Sequence, residues 1–119
     1  MTILIYCQHV LGIGHLFRTL EIARAMRDHR VVLVLGGPPV SVPMPSHVRV
    51  VRLPGLEMDA TFSTLLPVDR AMELETVKRQ RLDQLLGVAG EVQPDVLLVE
   101  LFPFGRNNFS FELLPLLEA

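Results

Sequence analysis

A glycine-containing loop near the start of the chain carries the residues best suited to chemistry. Gly12 and Gly14 follow an apolar run, and His15 and Arg18 open a helical pattern. Glycines at a strand-to-helix turn let the backbone approach a ligand, and the helix start offers free N–H groups. The dipole there disfavours the imidazolium, so a neutral His15 could accept a proton from a hydroxyl. Arg18 could pair with a carboxylate or a phosphate.

A second loop follows the apolar run at residues 96–99. It begins at Glu100 and includes Arg106. Glu100 could bind a hydroxyl, or it could form a salt bridge with Arg106 across the loop. Arg18 has a structural interpretation as well, since it could pair with Glu100 or with Glu21 one helical turn away. For His15, the structural alternative is a hydrogen bond to a loop carbonyl.

The elements that must position these residues follow from hydrophobic patterning. Apolar runs that predict buried strands lie at residues 2–7, 31–35, 48–53 and 96–99. Helical periodicity covers residues 15–29 and 69–89, and begins again at 109. We therefore predict one α/β domain over residues 1–119, a Rossmann-like parallel sheet of about four strands with helices on both faces. Arg49 and Arg52 place the third strand at an edge.

The expected strand order is 3-2-1-4, which reverses direction between the first and fourth strands. Ligands of open α/β sheets bind at such a reversal, beyond the carboxyl ends of the strands. The glycine loop and the loop that begins at Glu100 should therefore face one crevice.

The first loop does not match the common nucleotide-binding motifs. A dinucleotide fingerprint needs a third glycine where this chain has Phe17, and an acidic residue where it has Gly36 and Gly37. No Gly-Lys-Ser/Thr of a Walker loop is present. The net charge of −2 gives no electrostatic reason to expect a nucleic-acid partner.

Composition bounds the other classes of site. Cys7 is the only cysteine and the four histidines lack metal-ligand spacing, so we expect no disulfide, no metal and no bound cofactor. No signal peptide or membrane span is apparent, which favours a cytoplasmic protein and leaves peripheral membrane contact open. Residues 55–68 show no clear period and are predicted to be a long loop. We favour a loop that folds back over the core for most of its apolar side chains; the alternative is a flap that binds the acceptor or touches a membrane. The last segment, FELLPLLEA, ends without a cap, so we expect the domain to be truncated.

The glycine loop carries a resemblance to a known family. Gly12-x-Gly14-His15-x-x-Arg18 after an N-terminal strand resembles the first loop of GT-B glycosyltransferases. Together with residues 101–106 (LFPFGR), it is most similar to a bacterial group of predicted glycosyltransferases. That group is related to the N-acetylglucosaminyltransferases of peptidoglycan synthesis and to UDP-sugar hydrolases. The similarity covers the whole chain, but only as the N-terminal domain of such a protein.

The resemblance implies transfer of a sugar from a nucleotide-sugar, a UDP-sugar above all, to a hydroxyl acceptor. It implies that Gly12, Gly14 and His15 line a cleft between two domains, with His15 as a base or as a group that contacts the donor, and that this domain receives the acceptor. Arg18, Glu100 and Arg106 would line the same cleft. Two alternatives stay open: a sugar-nucleotide hydrolase on the same scaffold, and a non-catalytic acceptor-binding subunit that needs a partner chain carrying the donor domain.

Overall fold

The computed structural model describes residues 1–8, 14–39, 42–59, 64–101 and 108–118. Strands in chain order are β1 (Thr2–Gln8), β2 (Arg30–Leu35), β3 (Val48–Arg52), β4 (Leu56–Met58), β5 (Leu65–Pro67) and β6 (Val96–Leu101). Helices are α1 (Gly14–Ala25), α2 (Leu74–Val92) and α3 (Ser110–Glu118). Within the described residues, no helix is long and apolar enough to cross a membrane.

The main sheet has the predicted architecture. Its strands are parallel and lie in the order β3-β2-β1-β6. The predicted fourth strand is β6, because two short strands intervene along the chain. The predicted α/β, Rossmann-like fold is therefore confirmed, with β3 at an edge. Arg49 of β3 donates two hydrogen bonds to Glu91 of α2, at 3.0 and 3.3 Å.

Helices cover both faces of the sheet, as the apolar strands require. On one face, alternate residues of β1 and β2 pack against Leu16, Leu20 and Ala23 of α1. On the other face, Leu4 and Tyr6 of β1 pack against α2 and α3. Since successive strand residues point to opposite faces, a strand covered on both sides must be apolar throughout.

Three local predictions need correction. Residues 55–68 are not a plain loop, because β4 and β5 form an antiparallel pair there with Leu56 opposite Pro67. The prediction that this segment covers the core is confirmed for Met58 and Leu65, which are buried in the core. Phe62 lies outside the described residues. Helix α1 ends at Ala25, four residues early. Helix α2 begins at Leu74, later than predicted, because residues 69–72 form a turn. It ends at Val92, three residues beyond the predicted end.

A charged network lies inside the core on the α2–α3 side. Arg81 of α2 and Glu112 of α3 are both fully buried, and their side chains form a paired ion contact at 2.6 and 3.0 Å. The Tyr6 hydroxyl donates to Glu112 Oε1 at 2.5 Å, and Arg81 Nη2 donates to Gln8 Oε1 at 2.7 Å. Burial, together with the negative charge of Glu112, raises the pKa of Tyr6 well above its usual value.

The same guanidinium also fixes two backbone segments. Arg81 Nη1 donates to the carbonyl of Gly36, after β2, at 2.6 Å and to the carbonyl of Pro54, after β3, at 3.1 Å. A Cβ at position 36 would lie 2.3 Å from Gln8 Oε1 and 2.5 Å from Arg81 Nη2, so a larger residue there would displace these buried side chains. One side chain thus joins the carboxyl ends of three adjacent strands to α3.

We predict that Arg81→Met lowers the free energy of unfolding by about 3 to 5 kcal/mol, because it leaves the Glu112 carboxylate buried without its partner. Glu112→Gln should destabilise the wild-type protein but stabilise the Arg81→Met variant, where it removes the unpaired charge. Urea unfolding followed by circular dichroism measures all four proteins. Arg79→Met, on the exposed side of the same helix, is the control. Equal effects of Glu112→Gln in both backgrounds would contradict the coupling.

Candidate functional site

The candidate site lies at the carboxyl edge of the sheet, where the strand order reverses. The chain proceeds from β1 to β2 and β3 on one side, and β6 then lies on the other side of β1. Cys7 and Glu100 are direct neighbours in the β1–β6 register, close to the ends of both strands. Helix α1 begins at Gly14, shortly after the end of β1. This reversal is the usual position of a ligand crevice in an open α/β sheet.

Arg18 and Glu100 meet at this edge. Arg18 is on the second turn of α1, and its guanidinium pairs directly with the Glu100 carboxylate. The Arg18 side chain is 60% exposed and that of Glu100 is 21% exposed, so solvent reaches the pair. Of the two partners proposed for Arg18, the structure selects Glu100; Glu21 pairs instead with Arg24. The pair places guanidinium N–H donors beside a carboxylate acceptor at this edge of the sheet.

Cys7 lies beneath the pair and is fully buried. The Thr19 hydroxyl donates a weak hydrogen bond to its sulfur at 3.6 Å. Burial is the main cause that raises the pKa of the Cys7 thiol, and the Glu100 carboxylate adds to the effect. A protonated, buried thiol is not a nucleophile, and Cys7 packs as a small residue of the core on the α1 face of the sheet.

Several predicted site residues lie outside the described part of the chain. Gly12 and Arg106 are among them, so a Glu100–Arg106 salt bridge stays a prediction. His15 belongs to α1 by its backbone, while its side chain lies outside the described residues. The structure therefore brings together Arg18 and Glu100, at the edge where Gly14 begins α1.

Gln8 is a residue of this edge that sequence reasoning missed. It is fully buried, and its amide donates to the Leu56 carbonyl at 2.9 Å while its oxygen accepts from Arg81. The sequence signal for this role was the position of Gln8 directly after a continuous apolar run. An amide buried at a strand end requires hydrogen-bond partners. Among the described residues, no group of three or more His, Cys, Asp or Glu side chains could hold a metal ion.

Comparison with protein-family models and with curated proteins finds no match to this chain. The fold and the geometry of its carboxyl edge therefore carry the functional argument.

We predict that Arg18→Gln and Glu100→Gln each change the free energy of unfolding by less than about 1 kcal/mol, because solvent-exposed ion pairs contribute little to stability. Arg24→Gln, which breaks the exposed pair with Glu21, is the matched control. Thermal or urea unfolding measures the effect. A loss of several kcal/mol in either site variant would show that the pair is a structural support rather than an accessible polar surface.

The raised pKa of Cys7 predicts a specific pH dependence. The Cys7 thiol of the unfolded chain ionises at about pH 8.5, whereas the thiol of the folded protein keeps its proton to higher pH. The contribution of Cys7 to stability is therefore complete below about pH 8 and decreases as the pH rises. Between about pH 8 and 9.5 the wild-type protein should lose stability more steeply than Cys7→Ala. Urea midpoints across that range test this. Parallel curves, offset only by the small cavity in the variant, would contradict the assignment.

Proposed function

We propose that the chain is the acceptor-side domain of a glycosyltransferase, which moves a sugar from a nucleotide-sugar to a hydroxyl group. The single observation that carries this proposal is the juxtaposition at the β1–β6 edge. The exposed Arg18–Glu100 pair lies there beside the start of α1. The motif Gly12-x-Gly14-His15-x-x-Arg18 leads into that helix.

The proposed chemistry assigns a role to each residue type. His15, as a neutral imidazole, accepts the proton of the acceptor hydroxyl group. At the same time, the oxygen of that hydroxyl group forms a bond to the anomeric carbon of the sugar. The bond between that carbon and the diphosphate breaks, and the nucleoside diphosphate leaves with the electron pair. Glu100 and Arg18 orient the acceptor through hydrogen bonds to its hydroxyl groups. Such positioning lowers the barrier because the reacting atoms are held close together before reaction.

The structure supports the accessibility that this role requires. Arg18 projects from the helix with most of its side chain in solvent, and its partner, the Glu100 carboxylate, lies near the carboxyl end of β6, next to β1. The strand underneath is held on both sides, since β1 pairs with β2 from Thr2 to Cys7 and with β6 from Ile3 to Gln8. Site residues on such a framework hold their geometry better than residues on isolated loops.

We predict that His15→Gln lowers turnover about a hundredfold or more while leaving stability nearly unchanged, because a positioned general base typically contributes that much. His29→Gln, an exposed histidine between α1 and β2, is the control and should keep full activity. The assay measures transfer of label from UDP-glucose and UDP-N-acetylglucosamine into a solvent extract of the native source, using the protein purified from that source.

The same assay separates the rival activities. Label that enters the extract supports transfer. Stoichiometric release of free sugar without any acceptor identifies a hydrolase and overturns the transferase proposal. Normal turnover of a well-folded His15→Gln variant overturns the role of His15.

A further inference from the structure

A separate pocket of about 170 Å³ opens at the carboxyl ends of β2 and β3. It lies at the same edge as the Arg18–Glu100 pair, but on the other side of β1. Its lining is mostly apolar or glycine, with one cation and one anion. The lining residues that bear on ligand binding are Gly37, Arg52, Gly55 and Asp69.

The pocket offers hydrogen-bond donors for which the described residues supply no acceptor. Arg52 is exposed and, within the described part of the chain, no carboxylate pairs with its guanidinium. Gly37 and Gly55 line the pocket as well, and no described group accepts a hydrogen bond from the backbone N–H of either residue. A guanidinium beside unpaired backbone N–H groups is a favourable environment for an oxyanion.

The walls of the pocket are held in place from inside the core. Arg81 Nη1 binds the carbonyls of Gly36 and Pro54, which belong to the peptide groups that supply the N–H of Gly37 and of Gly55. Gly55 is also packed tightly, because a Cβ there would lie 2.8 Å from Val68 and 3.1 Å from the Gly37 carbonyl. The donors are therefore preorganised, which reduces the cost of ordering them around a ligand.

We propose that this pocket binds an anionic oxygen group, a carboxylate or a phosphate, through Arg52 and the N–H groups of Gly37 and Gly55. Asp69 is the one negative charge in the lining. One of its carboxylate oxygens accepts a hydrogen bond from the Ala71 backbone N–H at 3.0 Å, which directs that oxygen to its own turn. Its remaining charge opposes the anion and sets a limit on the affinity.

The position of the pocket adds a substrate class to the proposed function, on which this step rests. Three strand spacings separate β3 from β6 in the sheet. At about 4.8 Å each, Arg52 and Glu100 are separated by roughly 14 Å along the edge. An acceptor that spans this edge carries a hydroxyl group at one end and an anionic group roughly 14 Å from it. The acceptor is therefore an acidic molecule rather than a neutral sugar.

Inorganic phosphate and sodium acetate are the probes for the test, each titrated into the ¹⁵N-labelled chain at constant ionic strength with chloride as reference. We expect saturable shifts of the Gly37 and Gly55 amide signals. Arg52→Gln should weaken binding about fivefold, as expected for one exposed charge pair. Asp69→Asn, which keeps the turn, should strengthen binding. Arg79→Gln, an exposed arginine on α2, should leave it unchanged.

Each outcome decides the proposal. Saturation by phosphate alone assigns a phosphate site, and saturation by acetate alone assigns a carboxylate site. Shifts that do not saturate, or that are the same in Arg52→Gln and wild type, overturn it. The titration needs no sugar donor, so its result is independent of the transferase assay. If the chain binds phosphate but transfers no sugar, the anion site stands and only the inference that the acceptor is acidic is overturned.

Discussion

The buried ion pair between Arg81 and Glu112 connects the sheet to the helices at the edge where ligands are expected. Moving two charges out of water costs several kcal/mol for each ion, and their attraction offsets that cost only when the geometry is good and the remaining polar atoms are paired. Here Tyr6, Gln8 and the carbonyls of Gly36 and Pro54 complete the hydrogen bonding. An apolar pair of the same volume could fill the space, but it would not fix those backbone groups.

This constraint has a direct consequence for the surface above it. Gln8 ends β1, while Gly36 and Pro54 follow β2 and β3, so one guanidinium sets the spacing of three strand ends. The proposed anion pocket lies between two of these segments, and the Arg18–Glu100 pair lies on the far side of β1. Solvent reaches the Arg18–Glu100 pair, whereas the Arg81–Glu112 pair is fully buried. A rigid support of this kind is what a binding edge needs, because ordering loops after a ligand arrives would reduce affinity.

Much of the fold could be predicted from the sequence, since continuous apolar runs indicate strands covered on both faces and leave few topologies. The short strands β4 and β5 were missed because each has only three residues and Pro67 lies in one of them. At the site, the Arg18–Glu100 pair was one of two alternatives for Arg18. The sequence left both open, because this pair forms only once β6 lies beside β1 with Glu100 opposite Cys7.

The buried network was the larger omission. Arg81 occurs in a strongly charged stretch (KRQR) and resembles a surface residue, yet it continues the buried stripe from Val77 to Leu85 at helical spacing. Glu112 lies in the same way beside Leu113 and Leu116 on the buried side of α3. Helical periodicity could have located both residues, but composition alone could not show that they pair, because their contact spans 31 positions along the chain.

Native-state hydrogen exchange at two amides tests most directly whether Arg81 makes the carboxyl edge rigid. The Gly36 amide donates to the Cys7 carbonyl at 3.2 Å, and the Leu56 amide donates to the Gly36 carbonyl at 3.0 Å. If the network fixes this edge, both amides exchange only through global unfolding, with the same denaturant dependence as Leu33 in the centre of β2. Exchange through local opening, much faster than that of Leu33 and insensitive to denaturant, would contradict the account.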